Sequence, residues 1–256
     1  MFQYAGKTAL ITGASSGIGA AFARELASRG MRVALTARST DALEKLAQEL
    51  TTTHKTQVHV IPADLSQPTG AAAVAKRVGE LGLEIDLLIN NAGFLTHGAF
   101  ETVEAQREHD EVMVNVSSVV DLTHVFLPGM LERRAGGVIN VASIAAFQPI
   151  PYMAVYAASK AFVLSFSIAL WEECRGRGVC VLALCPGTTA TNLFKTAPKA
   201  ELGKPRSSEQ VVATALAGLD KGRSLVVDGL KNSLLSHGPR LIPRWFAAKC
   251  AGAAVK

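Results

Sequence analysis

The chain has 256 residues, 49% apolar and 18% charged, which is enough to bury a large core as one domain spanning 1–256. Its net charge of +5 is concentrated at one end: five basic residues (Lys231, Arg240, Arg244, Lys249, Lys256) and no acidic one follow position 230, leaving 21 basic against 21 acidic elsewhere. A neutral body with a basic tail argues against nucleic acid as partner, and four cysteines without C-x-x-C spacing or a histidine cluster exclude a disulfide framework and a zinc site.

Short aliphatic runs alternate with longer helical patterns, the signature of repeated βα units around a parallel sheet. The predicted strands are 8–12, 32–37, 57–62, 85–90, 137–142, 179–184 and 224–227. The predicted helices are 18–29, 41–51, 69–81, 102–134, 154–175 and 208–219. Segment 188–207, with Gly, Pro and Lys and little periodicity, is expected to be a substrate loop, and 231–256 a basic amphipathic tail. The first residues lack a signal-peptide pattern and no run of about 18 apolar residues is evident, so the expectation is a reduced, cytoplasmic protein.

In an open parallel sheet ligands bind beyond the carboxyl ends of the strands, so the strand ends carry the information. The first strand runs into Gly13-Ala14-Ser15-Ser16-Gly17-Ile18-Gly19 and a helix. Backbone N–H groups in such a turn approach a pyrophosphate, and the helix N-terminus favours its charge. The second strand ends in Ala37-Arg38 with no carboxylate. An acid there would bond a ribose 2′-hydroxyl, whereas an arginine suits a 2′-phosphate, so NADP(H) is the expected cofactor. Asp64-Leu65 follows the third strand and Asn90-Asn91-Ala92-Gly93 the fourth, the former suited to an adenine amino group and the latter to a ribose. Ser143 follows the fifth. The sixth ends in Pro186-Gly187-Thr188-Thr189-Ala190-Thr191, a turn suited to a carboxamide.

Tyr156 and Lys160 stand four apart on a predicted helix and therefore share a face. A cation close to a phenol favours the phenolate, so Lys160 is expected to lower the tyrosine pKa. With Ser143 thirteen residues before Tyr156, these groups can meet in one crevice.

With these motifs in order, the chain resembles the short-chain dehydrogenase/reductase family over residues 6 to 228. The resemblance implies a Rossmann-like, doubly wound α/β three-layer sandwich with a seven-stranded parallel sheet in the order 3-2-1-4-5-6-7. It also implies hydride transfer between NADP(H) and a ketone or aldehyde: Tyr156 as proton donor and acceptor, Ser143 polarising the substrate oxygen, Lys160 tuning the tyrosine and bonding the nicotinamide ribose, and Asn115 completing a proton relay. The competing reading, a non-catalytic NADP-binding regulator or scaffold, does not explain the presence of all four residues. The segment 145–153, with Leu193 and Phe194, has two readings, the lining of an apolar pocket for a ketone, aldehyde or acyl-type substrate, or part of the core. The helix bearing Tyr156 is apolar on both sides, which, with the resemblance, predicts a homodimer or homotetramer. The tail is expected to close the pocket or pack on a partner subunit in preference to touching a membrane.

Overall fold

Alternation along the strands sends neighbouring side chains to opposite faces of the sheet and so divides the core in two. In the computed structural model, which describes residues 2–191 and 205–255, the strands are β1 (Thr8–Thr12), β2 (Arg32–Thr36), β3 (Val58–Val60), β4 (Leu87–Asn90), β5 (Gly136–Val141), β6 (Val179–Cys185) and β7 (Leu225–Val227). They form one parallel sheet in the order β3-β2-β1-β4-β5-β6-β7, as expected. Ile11, Leu35 and Leu182 pack on one face beneath α1 (Gly17–Ser28), α2 (Thr40–His54) and α7 (Ser208–Asp220). Leu10, Ala34 and Val181 pack on the other, beneath α3 (Gly70–Glu80), α5 (Ser118–Glu132) and α6 (Ala154–Cys174). Full burial of a side chain such as Phe22 contributes about 1.5–3 kcal/mol.

The helix expected over 102–134 is interrupted. It consists of α4 (Ala105–Val112), a wide π turn (Met113–Ser117) and α5. Within that turn the Ser118 amide donates to the Met113 carbonyl, five residues back, and the Ser118 hydroxyl takes the Val114 carbonyl at 2.7 Å. The tail also folds, into α8 (Leu230–His237) and α9 (Arg244–Val255).

The expectation that no segment is apolar enough to span a membrane needs correction. The helical stretches 105–132 and 154–174 each contain an 18-residue window that passes that test by length and composition, with mean hydropathy of 1.3 and 1.5. Packing on the sheet explains part of this apolarity, since α5 and α6 lie on β4, β5 and β6, but only 33% and 39% of the two windows is buried, so both helices also carry apolar residues on an uncovered face.

At the amino ends of β1 and β4, Asp86 is 3% exposed and accepts hydrogen bonds from the Thr8 amide (2.9 Å) and Lys7 Nζ (3.1 Å). Asp86→Ala strands a buried N–H, and a loss of about 1–3 kcal/mol in urea denaturation is expected.

Candidate active site

The sheet order reverses between β1 and β4, and the crevice at their carboxyl ends is built around three glycines. Gly13 (φ +64°) and Gly17 (φ +54°) hold backbone conformations that L side chains rarely adopt. A Cβ on Gly13 would lie 2.9 Å from the Ala92 Cα, one on Gly17 2.9 Å from Thr191 Cγ2, and one on Gly19 would collide with the Gly13 carbonyl. Thr12 ties this turn to the end of β4, its hydroxyl accepting from the amides of Asn91 (3.0 Å) and Ala92 (2.9 Å). Asn91 returns a side-chain bond to the Thr12 carbonyl at 2.8 Å. Ser15 and Ser16 complete the turn, and the Ser16 side chain does not cap α1, so the first amides of that helix are not taken by it.

Arg38 is exposed at the end of β2, close enough to Asp64 to lower that carboxyl's pKa alongside the Ser66 amide and hydroxyl, although burial opposes the shift. Leu65, next in sequence, is buried in the core cluster with Ile61 and Ala71. A glycine cradle open to backbone amides, an exposed arginine and no acid at the end of β2 together fit a dinucleotide carrying a 2′-phosphate.

The other half of the crevice holds the candidate chemistry. Tyr156 is 5% exposed and packs with Leu95, Ala145, Met153 and Val255. Ser143, at the end of β5, caps a short helical turn by accepting from the Ala145 amide at 3.1 Å, and its hydroxyl also faces the Tyr156 phenol. Lys160 Nζ donates to the Val141 carbonyl at 2.9 Å and lies 5.8 Å from the centre of the Tyr156 ring. Asn115, wholly buried within the π turn, clasps the backbone of Phe94: its Nδ2 donates to the carbonyl (2.9 Å) and its Oδ1 accepts from the amide (3.2 Å). The same Nδ2 reaches Ser159 Oγ at 3.1 Å. Gly93 sits over both partners, since a Cβ there would be 3.0 Å from Asn115 Oδ1 and 3.3 Å from Lys160 Nζ.

The electrostatics depart from expectation. Burial pushes the Tyr156 phenol up to about 12, Ser143 opposing and Glu111 adding to the rise. Lys160, bonded instead to a backbone carbonyl, is not among the groups that lower it. The lysine itself is pushed by burial down to about 8. Helical spacing brings the two side chains together, but desolvation in this apolar pocket governs the phenol.

Beyond β6, the Pro186 carbonyl accepts from the Ile144 amide (2.9 Å) and Thr189 Oγ1 donates to the Gly187 carbonyl (3.0 Å). Thr191 comes over Gly17. Thr189 pairs with Arg206 in an isolated parallel bridge, and Arg206 is held by Asp228 at 2.6 Å, so the base of the expected substrate loop is clasped. Leu193 and Phe194 lie outside the described residues.

Two contributors had no motif to announce them. Glu111, fully buried, stands one helical turn before Asn115, a spacing that the sequence does contain. Val255, from the tail, joins the cluster around Tyr156, and its carbonyl bonds His97 Nε2 at 2.8 Å.

Residues 7–202 match a family model described as short chain dehydrogenase. A very-long-chain 3-oxoacyl-CoA reductase of Homo sapiens is 34% identical over 252 residues, 95% of this chain and 78% of that protein. Among solved structures, a short-chain dehydrogenase from Sphingobium yanoikuyae in complex with NADPH aligns with a TM-score of 0.83 and 32% identity, covering 91% of this chain and 94% of the other. A 7β-hydroxysteroid dehydrogenase aligns with a TM-score of 0.88 and 28% identity over 98% and 99%.

Proposed function

As a member of the short-chain dehydrogenase/reductase family, this chain is an NADP(H)-dependent oxidoreductase acting on a CH–OH or C=O group, and we propose that Asn115, Ser143, Tyr156 and Lys160 carry the proton side of its reaction. The observation that carries the assignment is the convergence of Ser143 and Lys160 on a nearly sealed Tyr156. Gly13, Ser15, Ser16, Gly17, Ile18 and Gly19 would hold the pyrophosphate, Arg38 the 2′-phosphate and Asp64 and Leu65 the adenine. Asn91, Ala92, Gly93, Tyr156 and Lys160 would line the riboses, and Pro186, Gly187, Thr189 and Thr191 the carboxamide. When bound, the nicotinamide supplies or accepts the hydride.

In the reducing direction the carbonyl oxygen gains negative charge as its carbon is reduced. Ser143 donates a hydrogen bond to that oxygen and Tyr156 gives it the phenolic proton, yielding the alcohol. A raised phenol pKa keeps this proton in place at neutral pH until the alkoxide forms. Removing one such donor costs about 2.7–4 kcal/mol. Lys160 then faces the phenolate with its ammonium, and Asn115 fixes the Phe94 segment beside it.

For substrate we propose an apolar carbonyl compound of acyl or steroid size. Leu95, Ala145, Met153 and Val255 surround the phenol, with Ile150 and Tyr152 packed against them, and the relatives' named substrates are of that kind. NADPH oxidation against ketones of graded size tests this: turnover is expected to rise with apolar bulk, and a preference for small polar sugars would overturn it. The tail closes this pocket through α9, whose Gly252 packs on Pro151.

We also propose a homo-oligomer joined across α4, α5 and α6, which leave Val112, Val125 and Phe162 exposed, Phe162 stacking on Phe166 at 5.7 Å. Phe162→Lys is expected to shift the sedimentation coefficient to that of a smaller species. An unchanged coefficient would place the interface elsewhere.

A further inference from the structure

Glu111 is a buried acid without a part in the proposed chemistry. It is 0% exposed, although the charged residues before it on α4 (Arg107, Glu108, His109 and Asp110) are exposed or half-buried. Its Oε2 accepts from the Thr96 amide (3.0 Å) and the Thr96 hydroxyl (2.7 Å). Its Oε1 is sealed from solvent and has no hydrogen-bond partner among the described residues. A carboxylate half satisfied by hydrogen bonds and wholly removed from water is costly unless a cation compensates it.

The nearby helix carries Lys160, whose Nζ shares the space over Gly93 with Asn115, one turn beyond Glu111. α4 packs against α6, and the charges of Glu111 and Lys160 bear on one another. The other titratable groups around the acid are Glu108, one turn earlier on α4, and Tyr156 on α6. Cys185 on β6 acts on Lys160 and Tyr156 from the sheet side. His97, next to Thr96, is engaged with the Val255 carbonyl, and Arg107 stacks on the Phe94 ring at 4.4 Å.

Resting on the assignment of Lys160 above, we propose that Glu111 is a positioning residue for the reaction: its carboxylate is the buried counter-charge that keeps the Lys160 ammonium protonated beside Tyr156. Burial raises Glu111 to about 7, with the Thr96 hydrogen bonds and the Lys160 charge opposing. Burial lowers Lys160 to about 8, with the Glu111 charge opposing. Each ion therefore sustains the other near neutral pH. Glu111 also adds to the raised pKa of Tyr156, so removing its charge shifts both the lysine and the tyrosine to lower values.

Glu111→Gln keeps the shape and an acceptor for Thr96 while losing the charge. In this variant the alkaline limb of kcat for carbonyl reduction is expected to move down by about one pH unit or more, because Lys160 and Tyr156 lose their protons earlier; one unit corresponds to a tenfold change in the protonation equilibrium. A structural role in holding Thr96 predicts instead an equal loss at every pH, and that result would overturn the proposal. A second measurement needs neither turnover nor a folded Gln variant. In the full chain labelled with [δ-13C]glutamate, one glutamate is expected to titrate near neutral pH, and Lys160→Met should raise its midpoint by a unit or more through the loss of its partner. A midpoint that does not move sinks the counter-charge. If the midpoint moves but the parent chain itself reduces no carbonyl compound, the coupling of Glu111 to Lys160 stands and the catalytic assignment of Lys160 fails.

Discussion

Tyr156→Phe is expected to bind NADPH within about twofold of the parent and to lose turnover by about 10²- to 10⁴-fold, the span of a positioned general acid. The variant removes one hydroxyl from a side chain that is 5% exposed and packed on Leu95, Ala145, Met153 and Val255. The ring can stay where it is, so the cofactor crevice on the glycine side has no reason to move. What disappears is the proton for the developing alkoxide, and the Ser143 hydroxyl, an aliphatic alcohol far less acidic than a phenol, can hydrogen-bond the oxygen but cannot transfer its proton in place of Tyr156. Fluorescence titration of NADPH beside steady-state kcat separates the two quantities. Near-parental kcat would remove Tyr156 from the chemistry, and a parallel collapse of NADPH binding would make it a structural residue of the cofactor site.

The second large effect concerns the choice of cofactor. Arg38→Glu should lower kcat/KM with NADPH by tenfold to over a hundredfold, because a charged hydrogen bond worth about 1.5–3 kcal/mol is lost, while the new carboxylate repels the 2′-phosphate. With NADH the same carboxylate meets a ribose hydroxyl, and kcat/KM is expected to hold or rise. Arg38 is exposed and close to Asp64, so the exchange leaves the core untouched. Equal losses with both cofactors would mean that Arg38 does not read the phosphate.

Much of the molecule was legible before its structure because strand ends, turn glycines and helical spacing are local signals. The Gly13–Gly19 turn, Arg38, Ser143 and the Tyr156–Lys160 pair each needed only the neighbouring dozen residues to be noticed, and parallel pairing brought them to one edge. Three things had no local signal. Glu111 lies in a run that includes Arg107, Glu108, His109 and Asp110, which reads as a solvated face, and only Thr96 from another loop shows that it is buried. Val255 reaches Tyr156 across 99 positions of sequence, a contact that periodicity does not encode. The phenol pKa depends on how much water is excluded, a property of the assembled pocket, so spacing predicted a fall where burial produces a rise.

The π turn at Met113–Ser117 has a consequence for how the chain can change in length. An α-helix advances about 100° per residue, and the wide turn accommodates a surplus position within the hydrogen-bond ladder. Deleting one residue there would restore regular winding and leave α4 and α5 in nearly the same phase, because the wide turn absorbs its extra position locally. Glu111, which lies before the turn on α4, would keep Thr96, whereas Asn115, inside it, would lose the bulged backbone from which it reaches Phe94 and Ser159. The length of this helix is therefore adjustable by one residue, and what the extra position provides is the placing of Asn115.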